Sequence, residues 1–122
     1  MNKKPLMPNT APAEVSIDTF QELVIEKSHQ NLVVLDISAE WCAPCRVLEP
    51  VIISVSAEYN SNELSLMTLE AEDENMKIAG RFSVRGFPTV IAFIRGEEVD
   101  RFHSAKSHDF VRDFIDDNLD KF

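Results

Sequence analysis

Two cysteines stand three residues apart, Cys42 and Cys45, with Ala43 and Pro44 between them and Trp41 immediately before. They are the only cysteines of the 122-residue chain, too few for a disulfide scaffold. A bridge between them closes a very small loop and adds little to folding, since a disulfide stabilises mainly by restricting a long loop in the unfolded chain. The pair is therefore read as chemical. A helical pattern begins at about Ala43, and the free amides of a helix's first turn carry roughly half a positive charge. Cys42, at that mouth, is expected to ionise readily and attack. Cys45, one turn inward, is the shielded thiol that resolves a mixed disulfide. Pro44 falls where the helix needs no N–H donor and stiffens the pair.

Six residues upstream, Asp36 interrupts the apolar run Leu32-Val33-Val34-Leu35-Asp36-Ile37. Burying a carboxylate costs free energy unless it is partnered or protonated, and desolvation raises its pKa. Beneath the cysteines, Asp36 could take the proton of Cys45 as general base near neutral pH. The alternative is a hydrogen bond to neighbouring backbone.

The elements that must position these groups follow from periodicity. Val15 and Ile17 suggest a short strand. Asp18 can cap a helix over about 19–28, with Phe20, Leu23, Val24 and Lys27 at helical spacing. Leu32–Ile37 reads as a strand covered on both faces. A second helix is predicted over about 43–59, with Val47, Leu48, Val51, Ile52 and Val55 inward and Pro50 bending it. A third strand at 64–70, a short helix over about 74–82, a strand at 88–94, a turn at Arg95-Gly96-Glu97-Glu98 and a strand at 99–102 come next. Ser107 caps a closing helix with Phe110, Val111, Phe114, Ile115 and Leu119 on its apolar stripe. The order β α β α β α β β α predicts an α/β fold, a mixed sheet of about five strands with four helices on both faces. Residues 1–13 hold three of the six prolines and read as a flexible N-terminal arm, leaving 14–122 as one domain.

The composition sets further bounds. The net charge is −9, with 44% apolar and 27% charged residues, which fits a folded acidic domain with a core of its own. No basic segment offers itself to phosphates, so nucleic acid is not an expected partner. The start lacks an apolar signal core and no run approaches the roughly 18 apolar residues of a membrane span, so no membrane partner and a cytoplasmic location are expected. Without a second Cys-x-x-Cys, and with His29, His103 and His108 scattered, no metal site is expected.

Asp36, Trp41-Cys42-Ala43-Pro44-Cys45-Arg46, Pro50, Val84-Arg85-Gly86-Phe87-Pro88-Thr89 and the Gly96 turn, in this order and spacing, resemble the thioredoxin family over residues 15–120. The resemblance implies a thioredoxin fold and a thiol-disulfide oxidoreductase that reduces protein disulfides through a Cys42-Cys45 dithiol, with no cofactor in the chain. A thioredoxin reductase is the expected electron source, and a monomer is the simple expectation. Pro88 matches the family's cis-proline, and Trp41, Gly86, Phe87, Pro88 and Ala105 match its docking surface. Ala43, Pro44 and Pro50 match positions that shape the active-site helix. The chain departs from the family at Ala43, where glycine is usual, at Ser38, usually aromatic, and at Ser104, usually glycine. Its third strand offers Thr68, Leu69 and Glu70 where a lysine often lies near the buried aspartate. A binding module with a redox-switchable surface is the competing reading of the same residues.

Overall fold

Strand β2, Leu32–Ser38, is the spine of the molecule, because it pairs on both sides. In the computed structural model, which describes residues 4–122, it runs parallel to β3, Leu64–Glu70, and antiparallel to β4, Thr89–Ile94. Strand β1, Ala13–Glu14, joins the outer side of β3, and β5, Glu97–His103, the outer side of β4. The result is one mixed sheet in the order β1-β3-β2-β4-β5. Four helices accompany it: α1, Gln21–Glu26; α2, Ala43–Ser56; α3, Met76–Arg81; and α4, His108–Leu119.

The alternation of side chains along β2 explains why its sequence, Asp36 and the terminal Ser38 apart, is apolar on both faces. Val34, with Leu66 and Val90, packs under Leu48, Ile52 and Val55 of α2 and Val111, Phe114 and Ile115 of α4. Val33, Leu35 and Ile37 point the other way, into a layer closed by Phe20, Val24 of α1 and Ile78 and Ala79 of α3. Phe93 anchors that second layer, edge-on to Phe82 at 5.3 Å and to Phe20 at 6.1 Å between centroids. Burying each such side chain is worth about 1.5–3 kcal/mol, which fixes the sheet between its two helical layers.

The expected order of elements holds, with local corrections. Val15 lies beyond β1 and reaches the sheet through one bond, its N–H donating to Thr68 O at 2.7 Å. The first helix is shorter than 19–28 and wound loosely: the Lys27 N–H donates to Glu22 O, five residues back, before a tight turn over Lys27–His29. Asp18 does not cap it. Ser16 and Thr19 organise the entry instead, the Ser16 N–H donating to Thr19 Oγ1 at 2.9 Å. Helix α2 ends at Ser56, not Tyr59, because Glu58 and Tyr59 turn back onto Val55 and Ser56 through i to i−3 bonds. Val47, expected inward, is exposed, since the inward face follows Leu48, Ile52 and Val55. Phe110, placed on the buried stripe of α4, lies half in solvent against Phe102.

Two turns are set by particular residues. The β4–β5 hairpin uses only Arg95 and Gly96 as its loop, both with positive φ, 50° and 84°, the geometry that matches the twist of paired strands. The Ser28 hydroxyl receives the Gly96 N–H at 2.8 Å and locks the hairpin to the tight turn that follows α1. The Ser107 hydroxyl accepts from the Phe110 N–H at 3.1 Å and caps α4 as its sequence requires. The segment expected as a flexible arm is tied down over part of its length: Met7, Pro8 and Asn9 run against 59–61, with Ser61 N–H donating to Met7 O at 2.8 Å and Asn9 N–H to Tyr59 O at 3.1 Å. Residues 1–3 of that arm lie outside the described residues. Among the described residues, no helix is long and apolar enough to cross a membrane.

Candidate active site

Where β2 ends, four residues carry the chain over the sheet edge and α2 begins at once. Cys42 is the extended N-cap residue of α2, and Pro44 occupies its first turn, where a missing N–H costs nothing. The Cys45 N–H points back and donates to Cys42 Sγ at 3.2 Å. That is the cap interaction of serine or aspartate transferred to sulfur, and it strengthens as the sulfur gains charge. The two cysteines are joined as a disulfide, Cα to Cα 5.3 Å, so the geometry is that of the oxidised pair.

Burial of the sulfurs corrects one expectation. Only Cys45 is expected to be shielded, yet Cys42 is 3% exposed and Cys45 6%. The cover comes from the loop before β4: Phe87 packs on Ala39, Cys42 and Cys45, and its carbonyl oxygen lies 3.4 Å from Cys42 Sγ. Trp41 stands in solvent, 76% exposed, edge-on to Phe87 at 6.0 Å between centroids. A large exposed indole beside a recessed disulfide forms an apolar rim suited to transient contact.

The Phe87-Pro88 bond is cis. Buried Thr89 braces it, its hydroxyl donating to Gly86 O at 2.8 Å, while Ser104 N–H donates to Pro88 O at 3.1 Å. The Phe87 N–H makes no hydrogen bond among the described residues, so a backbone donor stays free one residue before Pro88. Gly86 is exposed, with open space where a side chain would begin. Ala105 is half-buried and packs against the core layer under α2 and α4. Pro50 sits inside α2 on the exposed side. Without an N–H it leaves the carbonyl of Arg46, the residue after Cys45, unpaired within the helix.

Asp36 is buried in β2, and burial first, then the charges of Glu49 and Glu70, push its carboxyl up to about 7. Its Oδ1 has no hydrogen-bond partner, and Asp36 borders a cavity of about 10 Å³ shared with Pro12, Glu49, Ile52 and Thr68. Ile52 and Glu49 place that cavity on the α2 side of the sheet. Cys45 lies one turn before Glu49, on the same helix face by i, i+4 spacing. Thr68 stands directly opposite Asp36 in the β2–β3 register and reaches only its backbone oxygen, at 3.4 Å. Ser38, at the position usually aromatic, donates to Glu70 Oε1 at 2.9 Å. The surroundings of Asp36 are thus acidic where a lysine was the family expectation.

Glu49 and Glu70 are not among the residues to which the sequence pointed, and His103 stood out only for adjoining the docking loop. Glu49 is four residues after Cys45, a spacing that could have revealed it. Glu70 was noted only as a residue of the third strand, and the parallel register with Ser38 makes it a neighbour of the site. His103 reaches Thr89 Oγ1 at 3.1 Å across the β4–β5 pairing, a contact with no signature along the chain.

Comparison with known proteins agrees with this geometry. The thioredoxin family model matches residues 11–117. The chain is 32% identical over 106 residues to thioredoxin of Buchnera aphidicola subsp. Schizaphis graminum, covering 87% of this chain and 94% of that one. It is 32% identical over 107 residues to thioredoxin 1 of Synechococcus elongatus, covering 88% and 96%. With thioredoxin of Chlamydia pneumoniae it shares 36% identity over 101 residues, covering 83% and 92%. A helix-capped Cys-x-x-Cys beside a cis-proline, on a five-stranded mixed sheet with this kinship over nearly its whole length, makes the chain a member of the thioredoxin family and a thiol-disulfide oxidoreductase.

Proposed function

We propose that the reduced protein donates two electrons to protein disulfides, with Cys42 as nucleophile and Cys45 as resolving thiol. The Cys42 thiolate attacks one sulfur of the substrate disulfide, and the second substrate sulfur leaves as a thiolate and is protonated. Asp36 accepts the proton of Cys45. The Cys45 thiolate then attacks Cys42 Sγ, releases the remaining substrate thiolate and closes the Cys42-Cys45 disulfide. A thioredoxin reductase returns both electrons. The observation that carries this assignment is the Cys45 N–H aimed at Cys42 Sγ, which favours charge on that sulfur.

Trp41, Gly86, Phe87, Pro88 and Ala105 receive the substrate strand in this reading, while Ala43, Pro44 and Pro50 shape the helix that carries the sulfurs. The protein acts as a monomer in the cytoplasm, where reductase and thiols keep it reduced. Residues 14–122 act as one domain.

Reduction of insulin by dithiothreitol tests the assignment. The protein accelerates it and Cys42→Ser abolishes the acceleration, whereas Cys45→Ser accumulates a mixed disulfide through Cys42. Absence of acceleration by the unaltered protein, or a mixed disulfide formed through Cys45 in Cys42→Ser, would overturn it.

A further inference from the structure

Beside the cis bond lies a cleft of about 440 Å³ whose lining differs from the rest of the molecule. Ser83, Arg85, Pro88, Arg101, His103 and Ser104 border it, and no aspartate or glutamate does. The whole chain carries 21 acidic residues against 12 lysines and arginines. The cleft thus departs from the acidic character of the molecule as a whole, and Phe87, which also lines it, packs on Cys42 and Cys45.

Its basic residues are not equivalent. Arg101 is committed: its guanidinium pairs with Glu98 and donates to Phe82 O at 2.8 Å. His103 is fixed through Nδ1, which lies 3.1 Å from Thr89 Oγ1. The one hydroxyl proton of Thr89 already serves Gly86 O, so Nδ1 carries the hydrogen and donates. Arg85 is exposed and forms no ion pair among the described residues. It sits two residues before Phe87, whose carbonyl touches Cys42 Sγ. An uncompensated guanidinium on the wall of this cleft offers a planar fork that matches a carboxylate.

Resting on the reductase reading above, we propose that this cleft selects disulfide substrates carrying a carboxylate beside the attacked cysteine, with Arg85 as the charged recognition group. The occupant is an acidic peptide segment of the substrate protein. Contacts at an exposed rim act mainly on encounter and discrimination, so the effect falls on kcat/KM.

The test uses two disulfide-linked peptides that differ only in aspartate or asparagine next to the cysteine, reduced by the full chain with dithiothreitol as electron source. The aspartate peptide has the higher kcat/KM by about threefold to fivefold at low ionic strength, the range of one or two exposed ion pairs. The ratio falls as salt screens the contact. Arg85→Gln brings the ratio close to one, Arg85→Lys retains most of it, and Arg46→Gln, on α2 at the other side of the sulfurs, leaves it in place. A ratio of one in the unaltered protein overturns the inference and leaves the reductase reading standing. So does a preference for asparagine that fades with salt, because the overall −9 charge would then outweigh the cleft. Loss of the preference in Arg46→Gln but not in Arg85→Gln also overturns it. Reduction of neither peptide would sink both readings.

Discussion

Asp36 on a central strand and Glu49 on the active-site helix border the same small cavity, and the carboxyl of Asp36 is driven up to about 7 in part by the charge of Glu49. Desolvation is the larger cause and the two neighbouring acids add to it. An acid whose folded pKa exceeds its unfolded value penalises folding once it ionises. The penalty is absent below about pH 4, where both states are protonated. It grows between about 4 and 7, where only the unfolded state releases the proton, and is complete above 7.

Asp36→Asn is therefore expected to raise stability at pH 8 by a few kcal/mol and to leave it nearly unchanged at pH 4. Urea unfolding at the two pH values measures this. Equal effects at both would show that Asp36 is not held protonated by its surroundings. The same variant is expected to slow the Cys45 step, read as a longer-lived mixed disulfide in rapid quench, because no carboxylate remains to take the proton.

Removing the charge of Glu49 separates its share from burial. Glu49→Gln is expected to lower the Asp36 titration midpoint by less than burial raises it, since Glu49 is exposed and its field is screened by water. The carboxyl carbon signal of Asp36 followed by NMR against pH reports it. A midpoint that stays put would assign the whole effect to desolvation and Glu70.

Gly96 and Gly86 make opposite demands on a side chain. At Gly96 φ is 84° and a Cβ would meet His29 Nε2 at 3.4 Å, whereas at Gly86 nothing lies within 4 Å. Gly96→Ala is expected to cost about 1–2 kcal/mol of stability, the penalty of a left-handed backbone with a side chain. Gly86→Ala is expected to leave the unfolding midpoint almost unchanged, so any defect it shows in substrate reduction reports on docking. Thermal unfolding of the two variants side by side checks the contrast.

What was legible in the sequence follows from how local each signal is. The run 32–37 announced a strand buried on both faces because both layers of packing demand apolar residues there. Cys42, Pro44 and Cys45 announced a helix mouth because capping and proline placement act within one turn. Arg95 and Gly96 marked a tight hairpin, though its loop is two residues shorter than the turn read from composition. The misread positions depend on contacts distant along the chain. Val47 fits the helical stripe but the sheet meets α2 along Leu48, Ile52 and Val55. The exposure of Cys42 is set by Phe87, 45 residues away. His103 and Glu70 join the site only through strand register, which periodicity does not specify.

The cap contact between the cysteines yields the last prediction. The donor at Cys42 Sγ is the backbone N–H of Cys45, so it survives any change of the Cys45 side chain. Cys42 in Cys45→Ser is therefore expected to react with iodoacetamide as a thiolate at lower pH than a free cysteine does, and the rate profile against pH locates its ionisation. The cover supplied by Phe87 works against reactivity by limiting access. Phe87→Ala in the same background is expected to speed alkylation severalfold without moving the midpoint of the profile, because it opens the sulfur but leaves the helix mouth intact. A midpoint that moves upward with Phe87→Ala would mean that the loop before Pro88, and not the helix, holds the charge on Cys42.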